Sequence, residues 1–210
     1  MKKSSKIAVL VTAILLSALL FSTWLLLAFI TVNKVFTSDY ANYSTTKIVA
    51  SSISDLSDDR YVGAIVTADT DGAFIDEIKQ LRAQDKTAFV VFPSAKKEQL
   101  DAWTTDCLAV SSRSFLVFCS EDRKVLEQLY EENLNYFTYI LLTKSAASAF
   151  IYNKMGYNCA LPCAQITERT VQRAHDNDHL VIATGVKTEA DAQQLQRLKV
   201  DYVFFSSPLE

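Results

Sequence analysis

The chain has 210 residues and a formal charge of −3, and half of its residues are hydrophobic. That balance suits a single domain with an apolar appendage. Leaving out Lys2, Lys3 and Lys6 takes the charge to −6; the remainder has no dense basic face, which argues against nucleic acid as a partner and against attraction to an anionic membrane surface.

The three lysines mark residues 1–6 as a cytoplasmic tail. Residues 7–32, Ile7 to Val32, contain no charged side chain. A helix of that length crosses a hydrocarbon core of about 30 Å and closes its own backbone hydrogen bonds. More basic residues precede it than follow it (Lys34 stands alone). The expected topology is therefore an N-terminus inside and a domain outside, in a single-pass cell-membrane protein. A cleaved signal peptide is the rival, but its apolar core is shorter, about 7 to 15 residues, and ends at small residues. Residues 33–46 are polar with scattered aromatics and read as a linker. Residues 47–210 form the expected domain.

From Lys47 onward, short β-branched and aromatic runs alternate with helical patterns. The expected strands are Ile48–Ser51, Val62–Thr67, Thr87–Phe92, Ser114–Cys119, Phe137–Leu142, Cys159–Pro162, His179–Thr184 and Tyr202–Ser206. Near-continuous apolar runs suit parallel strands covered on both faces. Phe74, Ile75, Ile78 and Leu81 predict a helix with one apolar face, as do Val125, Leu126 and Leu129. Ser120 with Glu121 and Asp122 reads as a helix start, and Thr188 to Asp191 as a capping box with Asp in place of Glu. Eight strands with right-handed crossovers predict a compact or incomplete TIM-type (β/α)8 barrel. Only Asp55 to Tyr61 separates the first two strands, so an opening at the first strand is expected. A doubly wound open sheet is the alternative.

Cys107, Cys119, Cys159 and Cys163 lack zinc-site spacing with each other or with the histidines. Cys119 reads as a buried small hydrophobe. Cys159 and Cys163, flanking Ala-Leu-Pro, are the candidate disulfide.

The segments Ile166-Thr-Glu-Arg-Thr-Val-Gln-Arg-Ala-His175, Leu180 to Thr188, Asp191 to Leu198 and Val200-Asp-Tyr-Val-Phe-Phe-Ser-Ser-Pro208 resemble the C-terminal end of glycerophosphodiester phosphodiesterases. That family has there a helix ending in Ala-His and a final strand reading Gly-Val-Asp-Gly-Ile-Ile-Thr-Asp-x-Pro. Ser114 to Leu129 is similar to another strand and helix of the same family. Val181 to Glu189, with Ser207-Pro-Leu209, also resembles the end of EAL-type cyclic-dinucleotide phosphodiesterases. Both resemblances imply a barrel.

The first resemblance implies metal-dependent hydrolysis by a His-Arg pair, a Glu-x-Asp pair on the second strand, a later His and a Glu on the third strand. Here the first strand ends in Ser51-Ser52, Gly63 or Ile65 stands where the second-strand acids would fall, and Phe89 to Phe92 has no acid. Thr184 replaces the late glutamate of the EAL pattern. No residue is therefore assigned a catalytic role. The expectation is a membrane-anchored extracytoplasmic domain of this type, without hydrolytic activity, that binds a small phosphorylated ligand or a membrane protein. The alternatives are an active metal-dependent phosphodiesterase and a degenerate EAL-type domain. His175 and His179 fall on the barrel's far end, with His175 expected against the end of its own helix.

Candidate ligand-binding residues lie after the strands: Asp69, Asp71, Glu121, Lys144, Thr184, Gly185, Ser206 and Ser207. The plain reading is turns and caps. In the sharper one, Asp69, Asp71 and Glu121 hold a divalent cation, which no motif supports, or Gly185 and the backbone near Ser206 and Ser207 grip a phosphate. No cofactor is expected.

Overall fold

The computed structural model describes residues 17, 22, 45–56, 59–131 and 137–206. The chain divides into two units, 1–33 and 34–210. In the first, the described residues are Ser17 and Ser22, both helical. The expected membrane span, the cytoplasmic tail and nearly all of the linker thus lie outside the described residues. Among those described, no helix is long and apolar enough to cross a membrane.

The second unit is a closed barrel of eight parallel strands in sequence order. They are β1 (Lys47–Ala50), β2 (Tyr61–Thr67), β3 (Thr87–Val91), β4 (Leu116–Ser120), β5 (Thr138–Leu142), β6 (Asn158–Pro162), β7 (Val181–Val186) and β8 (Tyr202–Phe205). All eight expected strands are present, but the expected opening at the first strand is not. β1 pairs with β2 on one side and with β8 on the other, Val49 opposite both Gly63 and Phe204. A full helix is not needed for this closure. A single 3-10 turn, Ile53–Asp55, capped by the Ser52 hydroxyl, carries the chain from β1 toward β2.

Among the described residues, six helices follow the later strands: α1 (Ala73–Ala83), α2 (Lys97–Val110), α3 (Arg123–Glu131), α4 (Ala146–Lys154), α5 (Glu168–His175) and α6 (Glu189–Arg197). Their starts are written in short polar side chains. Ser145, Thr167 and Thr188 each accept a hydrogen bond from a first-turn N–H of α4, α5 and α6, worth about 1 kcal/mol each. At α6, the Asp191 carboxylate accepts from the Thr188 hydroxyl at 2.7 Å. Ser120 is not the helix start expected. It ends β4, and its hydroxyl donates to Phe92 O at 2.8 Å. Asp122 takes over the cap, accepting from Lys124 N at 2.9 Å. Ser114 and Phe115, expected in β4, form a 3-10 turn before it.

Alternation along each strand makes two cores. Inside the barrel pack Val49, Phe89, Val117, Cys119, Ile140, Ala160, Ile182 and Phe204. Phe89 stands edge-on to Tyr202 and Phe204, with ring centroids 5.3 and 5.1 Å away. Between sheet and helices lies the larger core, including Phe74, Ile78, Leu100, Phe118, Leu126, Val171 and Leu195. Burying each such side chain contributes about 1.5–3 kcal/mol. All four cysteines are free thiols, so the Cys159–Cys163 pairing does not form; Cys159 turns into the larger core while Cys163 sits half-buried in the turn after β6.

Candidate functional site at the barrel mouth

Barrel sites form where strands end and loops begin. At that end, inward alternation brings together the tops of β4 to β7. Glu121, Leu142, Thr143, Lys144, Pro162 and Thr184 line a cavity of about 340 Å³. Glu121 and Lys144 meet across it at 2.9 Å, with side chains 62% and 84% exposed. Solvent screens such a pair to about 0–1 kcal/mol, so it neutralises charge more than it braces the fold. Thr143 is fixed from below: its hydroxyl donates to Ala160 O at 2.6 Å.

Three of the expected ligand residues, Glu121, Lys144 and Thr184, therefore share one cavity. Thr143 joins them, and Leu142 and Pro162, the two apolar residues that complete it, were not expected. Their signal was positional, since both stand at the upper ends of inward-facing rows. Asp69 and Asp71 do not line this cavity. They shape the turn into α1, where Asp69 accepts from Gly72 N at 3.0 Å and Asp71 from Ala73 N at 3.3 Å. A hydrogen bond between the two carboxyls raises the Asp69 pKa and lowers that of Asp71. Among the described residues no three His, Cys, Asp or Glu side chains gather in a metal-holding group, so the expected trio of Asp69, Asp71 and Glu121 is not assembled. Gly185 occupies a bulge with φ +70°, where β7 slips register against β8. The Ser206 hydroxyl donates to Val186 O at 3.1 Å, tying β8 to β7. Ser207 lies outside the described residues.

Gly63 adds a physical reason why no acid stands on β2. A Cβ built there would lie 2.0 Å from Thr87 O of β3. The strands run too close at this point for any side chain. Ile65, the other position, packs into the barrel interior.

Both histidines sit at the opposite end, as expected, and the His175 side chain, in the last turn of α5, meets Asp201. Its Nε2 lies 2.9 Å from Asp201 Oδ2, and the same oxygen accepts from Val181 N at 2.7 Å. Asp201, only 5% exposed, thus joins the end of α5 to the starts of β7 and β8. Asn158 makes an equivalent link on β6, accepting from Leu180 N at 2.9 Å and donating to Tyr139 O at 3.1 Å. Two residues from the segments that resemble that family, the His of Ala-His and the Asp before the last strand, therefore bind each other and join α5 to β7 and β8. His179 is buried, which pushes its pKa down.

The sequence matches no family model and no curated protein. The fold is similar to that of a glycerophosphodiester phosphodiesterase from Parabacteroides distasonis, with TM-score 0.59 at 9% identity over 77% of this chain and 92% of that one. A phosphodiesterase from Oleispira antarctica, solved with the product sn-glycerol-3-phosphate, gives 0.57 at 13% identity over 64% and 57%. Tryptophan synthase from M. tuberculosis gives 0.58 at 12% over 78% and 83%. The chain spans 52 to 59% of the length of three of the matching phosphodiesterase chains. It has the eight-stranded barrel fold of these enzymes; at such identities the likeness is one of fold.

Proposed function

We propose that the chain is a membrane-anchored, extracytoplasmic barrel of glycerophosphodiester-phosphodiesterase type that has no hydrolytic activity and binds a ligand or a partner protein. One observation carries this reading. The mouth of the barrel presents a mutually neutralised Lys144–Glu121 pair over a small, largely apolar hollow, while both histidines lie at the far end. Diester hydrolysis needs a positioned acid and base and a way to neutralise phosphate charge. Gly63 supports the reading further, because one of the two β2 positions where an acid would fall has no room for a side chain. Membrane anchoring rests on the uncharged run from Ile7 to Val32 and the lysines before it.

The test is an assay of the full chain in mild detergent with glycerophosphocholine and added magnesium or calcium. No release of glycerol phosphate above a protein-free control is expected. Release that disappears in Asp69→Asn overturns the reading and makes the chain a working phosphodiesterase. The topology is tested by a C-terminal epitope tag, which should stain on intact cells without permeabilisation; staining only after permeabilisation refutes the outward placement.

A further inference from the structure

Glu121 and Lys144 follow neighbouring strands, one residue past the end of β4 and two past the end of β5. The backbone is held beside each of them. Next to Glu121, the Ser120 hydroxyl donates to Phe92 O at 2.8 Å and accepts from Asp122 N at 3.1 Å. Next to Lys144, the Thr143 hydroxyl is tied to Ala160 O and Ser145 caps α4. Gln165 Nε2 donates to the Lys144 carbonyl itself at 3.4 Å. The stems are therefore fixed, while the charged side chains stand in solvent.

The pair also borders two hollows. One is the mouth cavity of about 340 Å³. The other, of about 230 Å³, lies toward α4, where Leu141, Ser148 and Tyr152 join the residues that both share. Among the described residues, Glu121 and Lys144 are the only charged side chains that line either hollow. The site thus offers one cation and one anion, 2.9 Å apart. That balance selects the charge of what can enter. An anion that takes Lys144 is left beside an unpaired Glu121, and an amine that takes Glu121 is left beside an unpaired Lys144; in both cases like charges repel at short range. A molecule that bears both charges replaces both partners at once, and it displaces only a pair that solvent already screens.

We infer that the barrel mouth takes a small zwitterion of amino-acid type, its carboxylate on Lys144 and its ammonium on Glu121. An α-amino acid carries the two charges on one carbon, close together like the pair it replaces, and each forms a charge-assisted hydrogen bond. Leu142 and Pro162 offer apolar surface to its side chain. This names the ligand class for the binding role proposed above and rests on that reading.

The experiment is a titration of the full chain in mild detergent, labelled at threonine nitrogen and followed by NMR at the amides of Thr143 and Thr184, which line the mouth cavity. Leucine should shift both signals. Isocaproate, which lacks the ammonium, isoamylamine, which lacks the carboxylate, and inorganic phosphate should each bind about tenfold more weakly or worse. Glu121→Gln and Lys144→Gln, both at exposed positions, should each weaken leucine by about the same factor. Glu121→Gln should also bring isocaproate level with leucine, and Lys144→Gln should do so for isoamylamine. Equal binding of leucine and isocaproate by the parent chain, shifts with phosphoethanolamine in place of leucine, leucine binding that survives both variants, or no shift with any of these compounds would overturn the proposal. The glycerophosphocholine assay is independent of this outcome: release of glycerol phosphate there refutes the absence of hydrolysis, whereas a failure of leucine to bind refutes only the ligand class.

Discussion

Gly63→Ala gives the sharpest test of how the barrel is built. The alanine Cβ would stand 2.0 Å from Thr87 O and 2.9 Å from Thr87 C, both backbone atoms of β3, where ordinary contact begins at 3.4 Å. No side-chain rotation relieves this, so β3 must retreat by roughly 1.4 Å. β3 is hydrogen-bonded on both sides, to β2 and to β4, inside a closed ring. Overpacking of this kind costs about 1–3 kcal/mol and sometimes more, and the fixed ladder places Gly63→Ala at the upper end. For a domain of this size each kcal/mol moves Tm by about 2–4 °C, so a loss of roughly 6–12 °C is expected. Thermal unfolding followed by circular dichroism measures it. Gly72→Ala and Gly185→Ala are the controls. Both glycines have positive φ and nothing within 4 Å of a built Cβ, so only the left-handed backbone penalty of about 1–2 kcal/mol applies. A Gly63→Ala melting point within about 2 °C of the parent, or a loss smaller than the controls show, would refute the close approach of β2 and β3. It would also remove the steric reason for the missing acid on β2.

Asp201→Ala strips the acceptor from Val181 N–H and the partner from His175; a loss of about 1–3 kcal/mol is expected for the buried donor left unsatisfied, read from chemical denaturation. His179 has its pKa lowered by burial from an ordinary value of 6.5. Its contribution to stability is therefore complete above about pH 6.5 and is lost as pH falls toward the folded-state pKa, because the unfolded chain then binds the extra proton. His179→Gln should flatten that region of a melting-point series against pH. Burial pushes the Cys107 thiol up to about 12 and raises those of Cys119 and Cys159 as well. Cys163 is half-buried, so a thiol reagent should modify Cys163 first in the native protein, and the other three only on unfolding.

Much of this architecture was legible along the chain. Runs such as Phe89 to Phe92 and Val181 to Ala183 are apolar at consecutive positions because parallel strands are covered on both faces, and that pattern is local. Thr188 marks a helix start because a cap acts within one turn. That the first strand ends in Ser51-Ser52 and that the second and third strands carry no acid was equally readable.

What the chain order could not reveal depends on distances between residues far apart in sequence. Whether β1 closes onto β8 follows from register summed around eight strands, including the slips beside β1 and β7, and no local window contains that sum. The closeness of Gly63 to Thr87, the bond from His175 to Asp201 and the meeting of Glu121 with Lys144 arise from that closure. Secondary structure is set by interactions within a few residues, whereas the site is set by how the ring shuts.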